Sequence, residues 1–169
     1  AQREIQGAVG VVPFRRARFV LDGHLGRLAR HLRLLGLEAE HHSPADDAAL
    51  AAAAADADGI LLTRDVGLLK RAAVRRGYRV RSVDPEEQAV EVVRHFELTG
   101  RLAPFSRCLP CGSLLTAATP AEAAGAPVAV AARETEYRHC PGCGRLYWRG
   151  SHYRRLSALA ARLAARGGA

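Results

Sequence analysis

Arg18-Phe-Val-Leu-Asp-Gly-His-Leu-Gly-Arg-Leu-Ala-Arg-His-Leu-Arg-Leu-Leu-Gly36 decides the fold of this chain. Residues 18–21 form a short apolar run closed by Asp22, the pattern of a buried strand. Leu25, Leu28, Ala29, Leu32 and Leu35 then recur at helical spacing, and Gly36 stops the helix. The helix's other face carries Arg27, Arg30, His31 and Arg33. The alternation repeats downstream. Residues 37–41 read as a strand, Ser43-Pro44 as a turn, and Asp46-Asp47 as the start of an alanine-rich helix reaching about Asp56. Gly59-Ile-Leu-Leu62 is a third strand, ending in Thr63-Arg64-Asp65. A helix with Leu68, Leu69 and Ala72, closed by Gly77, precedes a strand at 78–83. Pro85 opens a helix with Val90, Val93 and Phe96 on one side. Strands alternating with helices predict an α/β three-layer sandwich around a parallel sheet of about four strands.

The four cysteines stand further on, as Cys108-Leu-Pro-Cys111 and Cys140-Pro-Gly-Cys143, with 28 residues between the pairs. Each tight turn can offer two thiolates, and two such turns complete a tetrahedral site for structural Zn²⁺. Gly112 and Gly144 follow each second cysteine, where a knuckle needs a permissive backbone. Two disulfides are the alternative, but there is no secretory segment and the spacing is that of a metal site. Residues 127–131 and Tyr137 read as strand pieces of this zinc ribbon, and 157–166 as a final helix.

A chain of 169 residues accommodates one ordinary domain and a small zinc-stapled module. The expected boundaries are an arm or upstream remnant at 1–17, an α/β domain at 18–97, the ribbon at 98–156 and a helical tail at 157–169. No apolar run is long enough to cross a bilayer, and the cytoplasm is the expected compartment. The net charge of +8 is uneven: residues 1–96 hold 15 basic and 13 acidic side chains, residues 97–169 hold 10 and 4. From Arg138 onward there are seven arginines and no carboxylate. Such a surface suits a polyanion, since each phosphate neutralised releases counterions. A solvated basic face would carry the same charge without a partner.

Asp22 and Asp65 close apolar strands, Asp47 lies at the mouth of a helix on the same edge, and Asp84 ends the fourth strand. Ligands of open parallel sheets bind outside the carboxyl ends of the strands. Carboxylates gathered there suit Mg²⁺ or Mn²⁺, which activates water for displacement at phosphorus. Helix capping explains Asp47 and Asp65 equally well, and Asp84 before Pro85 reads equally as an ordinary turn pair, so spacing leaves both readings open. Asp22, followed by Gly23, is the hardest to assign to a cap.

The run from Phe19 to Gly36 resembles the start of the Mut-seven C-terminal RNase family, a PIN-like nuclease domain fused to a zinc ribbon. The likeness continues through Asp47-Ala-Ala-Leu50, Ile60-Leu-Leu-Thr-Arg-Asp65, Glu87-Gln88, Pro104-Phe-Ser-Arg-Cys108, Cys140-Pro-Gly-Cys143 and Tyr147-Trp-Arg-Gly-Ser-His152. The resemblance implies a PIN-like fold and a metal-dependent ribonuclease. Asp22 and the Thr63-Arg64-Asp65 motif would supply metal ligands. Asp47 matches the family's helix acid better than Asp46, and Asp84 is the least securely matched. Many members have asparagine where this chain has Gly112.

The expectation is thus hydrolysis of RNA at Asp22, Asp47, Asp65 and Asp84 with Mg²⁺ or Mn²⁺, Thr63 orienting a ligand or water. Cys108, Cys111, Cys140 and Cys143 would bind Zn²⁺. Arg27, Arg30, Arg64, Arg107, Arg149 and His152 would meet the nucleic acid, whether tRNA, rRNA or the ribosome. Trp148 can stack on a base or pack the thin ribbon. The rival is a non-catalytic RNA- or ribosome-binding module in which the acids are only caps.

Overall fold

A computed structural model describes residues 18–43, 47–56, 59–71 and 74–169. The arm expected at 1–17, the turn at Pro44, Asp46 and Ala72 lie outside the described residues.

Four short strands, β1 (Arg18–Leu21), β2 (Ala39–His41), β3 (Gly59–Thr63) and β4 (Gly77–Arg79), form a parallel sheet in the order β2-β1-β3-β4. Helices α1 (Gly26–Leu34), α2 (Asp47–Ala55), α3 (Val66–Leu69) and α4 (Pro85–His95) follow them in turn. Both faces of the sheet are apolar because both are covered. Phe19, Leu21, Ile60 and Leu62 pack against Leu28 and Leu32 of α1 and Val90 and Val93 of α4. Val20 and Leu61 point the other way, into Leu50 and Ala54 of α2. The three-layer α/β sandwich is therefore present. β1 and β3 are neighbours, yet the chain leaves β1 towards β2 and returns to β3 on the opposite side. Their carboxyl ends flank the topological switch point, where an open α/β sheet forms its crevice.

The ribbon is a three-stranded antiparallel sheet of β5 (Thr116–Ala117), β6 (Arg138–His139) and β7 (Leu146–Tyr147). The segment expected as strand at 127–131 is instead helical: α6 spans Val128–Ala131, after α5 (Pro120–Ala123). Val-Ala-Val-Ala has the period of a strand, but Pro127 sets a helix-entry backbone and Val128, 88% exposed, has no sheet to cover. The last helix, α7 (Ser151–Gly168), begins six residues before the expected start and is no loose tail. Its Ala160 and Leu163 are buried in the main core, and Arg166 pairs with Glu87 on α4 at 2.6 Å. Arg162 pairs with Glu86 at 3.3 Å, so two arginines of the one-signed tail are paired with α4 on the surface.

Arg33 was expected on the exposed basic face of α1, and the structure corrects this. It is 7% exposed and donates to the carbonyls of Ala39 (2.8 Å), Leu109 (3.0 Å) and Pro110 (2.8 Å). The planar guanidinium thereby ties the first cysteine knuckle to the α/β core.

Candidate metal-dependent nuclease site

At the carboxyl end of β1, Asp22 is 5% exposed. One carboxylate oxygen accepts the backbone N–H of His24 at 2.8 Å, and the other accepts the hydroxyl of Thr63 at the end of β3. The Thr63 hydroxyl in turn accepts the backbone N–H of Asp65 at 2.9 Å. One hydroxyl thus fixes both strand-end aspartates relative to each other. Asp65 is exposed and caps α3, its Oδ1 accepting the N–H of Gly67 at 2.7 Å. Its second oxygen accepts no hydrogen bond among the described residues.

Asp22 and Asp65 line one cleft of about 600 Å³, with His24, Arg64 and Arg71 at its rim and Ser43 and Leu50 on the side of α2. The helix that opens at Asp47 therefore starts beside this cleft, although the side chain of Asp47 lies outside the described residues. Asp84 does not join them. Its Oδ1 accepts the N–H groups of both Glu86 and Glu87 at 3.0 Å, so it caps α4 and is not among the residues lining the cleft. Four residues separate it from the end of β4, because the strand stops at Arg79 rather than running to 83. Sequence reasoning missed His24 and Arg71 at the rim. The exposed His24 imidazole stands 3.4 Å from Asp22, two residues after it, and that spacing was the available signal.

The donor chemistry fits a hard divalent cation. Asp22 is a buried carboxylate with no arginine or lysine in ion-pair range among the described residues, and it opens towards a second carboxylate.

The four cysteine sulfurs all lie within 4.8 Å of one another. Cys108 and Cys143 are 3.5 Å apart, Cys111 and Cys140 3.4 Å, close to the roughly 3.8 Å edge of a tetrahedron with Zn–S of about 2.3 Å. No disulfide joins them. Gly112 and Gly144 have φ of +82° and +75°, as the knuckle turns require. Burial pushes the Cys108 thiol up to about 12. Burial also opposes ionisation of Cys111, but hydrogen bonding with Ser113, Cys140 and Cys108 together outweighs it and brings that thiol down to about 6. The cluster can hold Zn²⁺ as a closed site, with no position left for substrate.

The expected nucleic-acid residues divide between two places. Arg64 lines the aspartate cleft, and Arg27 is exposed on the first turn of α1. Arg30, Arg107, Arg149 and His152 all line a second, larger groove of about 930 Å³ between α1 and the ribbon. Arg107 is largely committed within the protein, donating to the carbonyls of Gly36 and Gly112 and approaching Glu38 at 3.7 Å.

The family described as the Mut7-C RNAse domain matches residues 17–160. The chain belongs to that family. A curated human relative, "Exonuclease mut-7 homolog" (Homo sapiens), is 39% identical over 113 residues, which cover 63% of this chain and 13% of that protein. The chain thus spans a small part of that relative's length. No solved structure matches it. The matched family is described as an RNase domain, and the chain carries an open cleft at the switch point and a closed cysteine cluster in the ribbon. No helix among the described residues is long and apolar enough to cross a membrane.

Proposed function

We propose that this chain is a ribonuclease dependent on Mg²⁺ or Mn²⁺, cleaving RNA phosphodiesters at Asp22, Asp65 and Asp47. The observation that carries the reading is the Asp22–Thr63–Asp65 linkage in one cleft at the switch point. A divalent ion held there supplies charge neutralisation and lowers the pKa of water. Asp22, positioned by two hydrogen bonds, contributes a carboxylate whose orientation is set before the ion arrives. Thr63 keeps the two strand ends in register. Arg64 and Arg71 at the rim bring positive charge to the phosphate backbone. Asp84, committed to its helix cap, has no part in this site.

The zinc ribbon holds the groove wall beside α1 and assists binding of RNA, and the cytoplasm is the proposed compartment. The family's description as an RNase domain and the relative's name as an exonuclease support the reading. Asp22→Asn and Asp65→Asn are compared with the parent for RNA affinity and Mn²⁺-dependent cleavage, measured separately. Cleavage should vanish while affinity remains. Equal, metal-independent cleavage by all three chains would show that it does not come from these acids and would end the nuclease reading.

A further inference from the structure

The larger of the two grooves described above is not the one at the aspartates. It runs between α1, the segment 104–110, the ribbon sheet and the first turn of α7. Arg30 contributes from the α/β side, and Arg138, Arg145 and Arg149 from the ribbon. Among the described residues the first three form no ion pair. Arg149 stands only 4.0 Å from Glu136, itself 80% exposed and the one carboxylate in the lining. A concave surface with this charge selects a polyanion.

Its floor is aromatic. Trp148 is half-buried there, outside the buried core, which in the ribbon consists of Cys108, Leu109 and Cys140. A Cβ at Gly150 would fall 3.0 Å from the indole nitrogen, so the glycine lets the ring fold back over the chain. Tyr153 stacks on Phe105 with centroids 4.4 Å apart and has the Arg149 guanidinium 6.0 Å from its ring. The indole is placed by the backbone at the groove's surface rather than spent as core.

We propose that this groove seats an unpaired RNA strand, with a base stacked on Trp148 and phosphates carried by Arg30, Arg138, Arg145 and Arg149. The inference rests on the nuclease reading for its choice of RNA. A duplex offers phosphates but keeps its base faces stacked inward, so it can use the arginines and not the indole. A single strand uses both, and every base has a face to stack. Arg27 and Arg30 lie three residues apart on one face of α1, whose start adjoins Asp22. A strand leaving the groove along them reaches the aspartate cleft. The ribbon then selects single-stranded RNA and feeds it to the acids.

The sole tryptophan makes the test direct. The full zinc-loaded chain carrying Asp22→Asn, without added divalent ion, is titrated with a short labelled oligouridine, with the matching RNA duplex and with an acidic peptide. Trp148 fluorescence and anisotropy of the label are read separately. The strand should quench Trp148 and bind more tightly than the duplex. Trp148→Ala should weaken strand binding about 10-fold while Trp148→Phe keeps most of it. Because Ala at 148 can unsettle a small ribbon, Arg145→Ala on the exposed surface provides the second reading, with a shallower salt dependence. Strand binding that leaves the fluorescence unchanged, equal affinity for duplex, or equal quenching by the peptide would overturn the proposal. Strand binding at Trp148 in a parent chain that cuts nothing with Mn²⁺ would remove the nuclease reading and leave this one standing. Cleavage without quenching would do the reverse.

Discussion

Thr63 donates its hydroxyl to the carboxylate of Asp22 across two adjacent parallel strands, and both residues are buried at the sheet's carboxyl edge. That contact orients the acid that opens into the cleft. Thr63→Val keeps the shape and removes the donor and the acceptor for Asp65 N–H. The expected result is a loss of about 10–100-fold in Mn²⁺ affinity or turnover, the usual cost of losing a partner behind a metal ligand. Stability should fall by about 1–3 kcal/mol, and Thr63→Ser should restore most activity. Metal titration of cleavage alongside thermal melting separates the two effects.

The α/β layers were legible because Phe19-Val-Leu21 and Ile60-Leu-Leu62 are apolar on both faces, as only a covered parallel sheet requires. The cysteine site was legible from spacing alone. Arg33 was not, because helical periodicity placed it beside Arg30, and only the docked knuckle brings three carbonyls to its guanidinium. Asp84 misled for a related reason. A strand-end acid and a helix-capping acid look alike until the length of β4 is known, and Glu91 and Gln88 turn the chain away from the sheet after Arg79. The alternating run at 128–131 failed because period two needs a partner strand, and none is supplied.

Replacing Arg33 tests the bond between the two modules. Arg33→Met leaves three carbonyl oxygens without their charged donor, at a cost of about 3 kcal/mol or more. Arg33→Lys should recover little, since a point charge cannot reach Ala39, Leu109 and Pro110 together. Limited proteolysis of both variants should cut around residues 98–118 before the sheet opens. Equal resistance in parent and variants would show that the ribbon docks without this arginine.

Zinc removal should do more than loosen the ribbon. Four thiolates holding Zn²⁺ would carry a net charge of about −2, and the buried Arg33 cation lies beside Cys108 and Cys111 of the first knuckle. Structural zinc contributes on the order of 10 kcal/mol to small modules, comparable to the whole stability of a domain. Chelation or Cys140→Ser should therefore unfold β5–β7 and also lower the melting temperature of the α/β core, which loses Leu109 and the counter-charge of Arg33. Hydrogen exchange should rise in α1 as well as in the ribbon.

The closing helix is held by its apolar face. Leu163 is fully buried and joins the main core, while the ion pairs of α7 with α4 are exposed. Leu163→Ala should cost about 2–5 kcal/mol in denaturant unfolding. Raising salt to weaken the Arg162 and Arg166 pairs should cost far less.

Glu91 gives the molecule a predictable acid sensitivity. Burial works against its ionisation, but the backbone N–H groups of Arg81 (2.9 Å) and Ser82 (3.1 Å) and the Tyr78 hydroxyl (2.8 Å) outweigh it and hold its carboxyl below the usual glutamate range. These bonds favour the charged form, so the folded value lies below the unfolded one. Their contribution is complete above the ordinary glutamate pKa and is lost as pH falls through the depressed folded value. Glu91→Gln should therefore be less stable than the parent at pH 7 by about 1–2 kcal/mol. The gap should narrow as the pH drops below about 4 and close once the parent's carboxyl is protonated. Denaturant melts of both chains across that range check the sign: a gap that widened in acid would mean that Glu91 is neutral in the fold and that the 80–84 loop is held by other bonds.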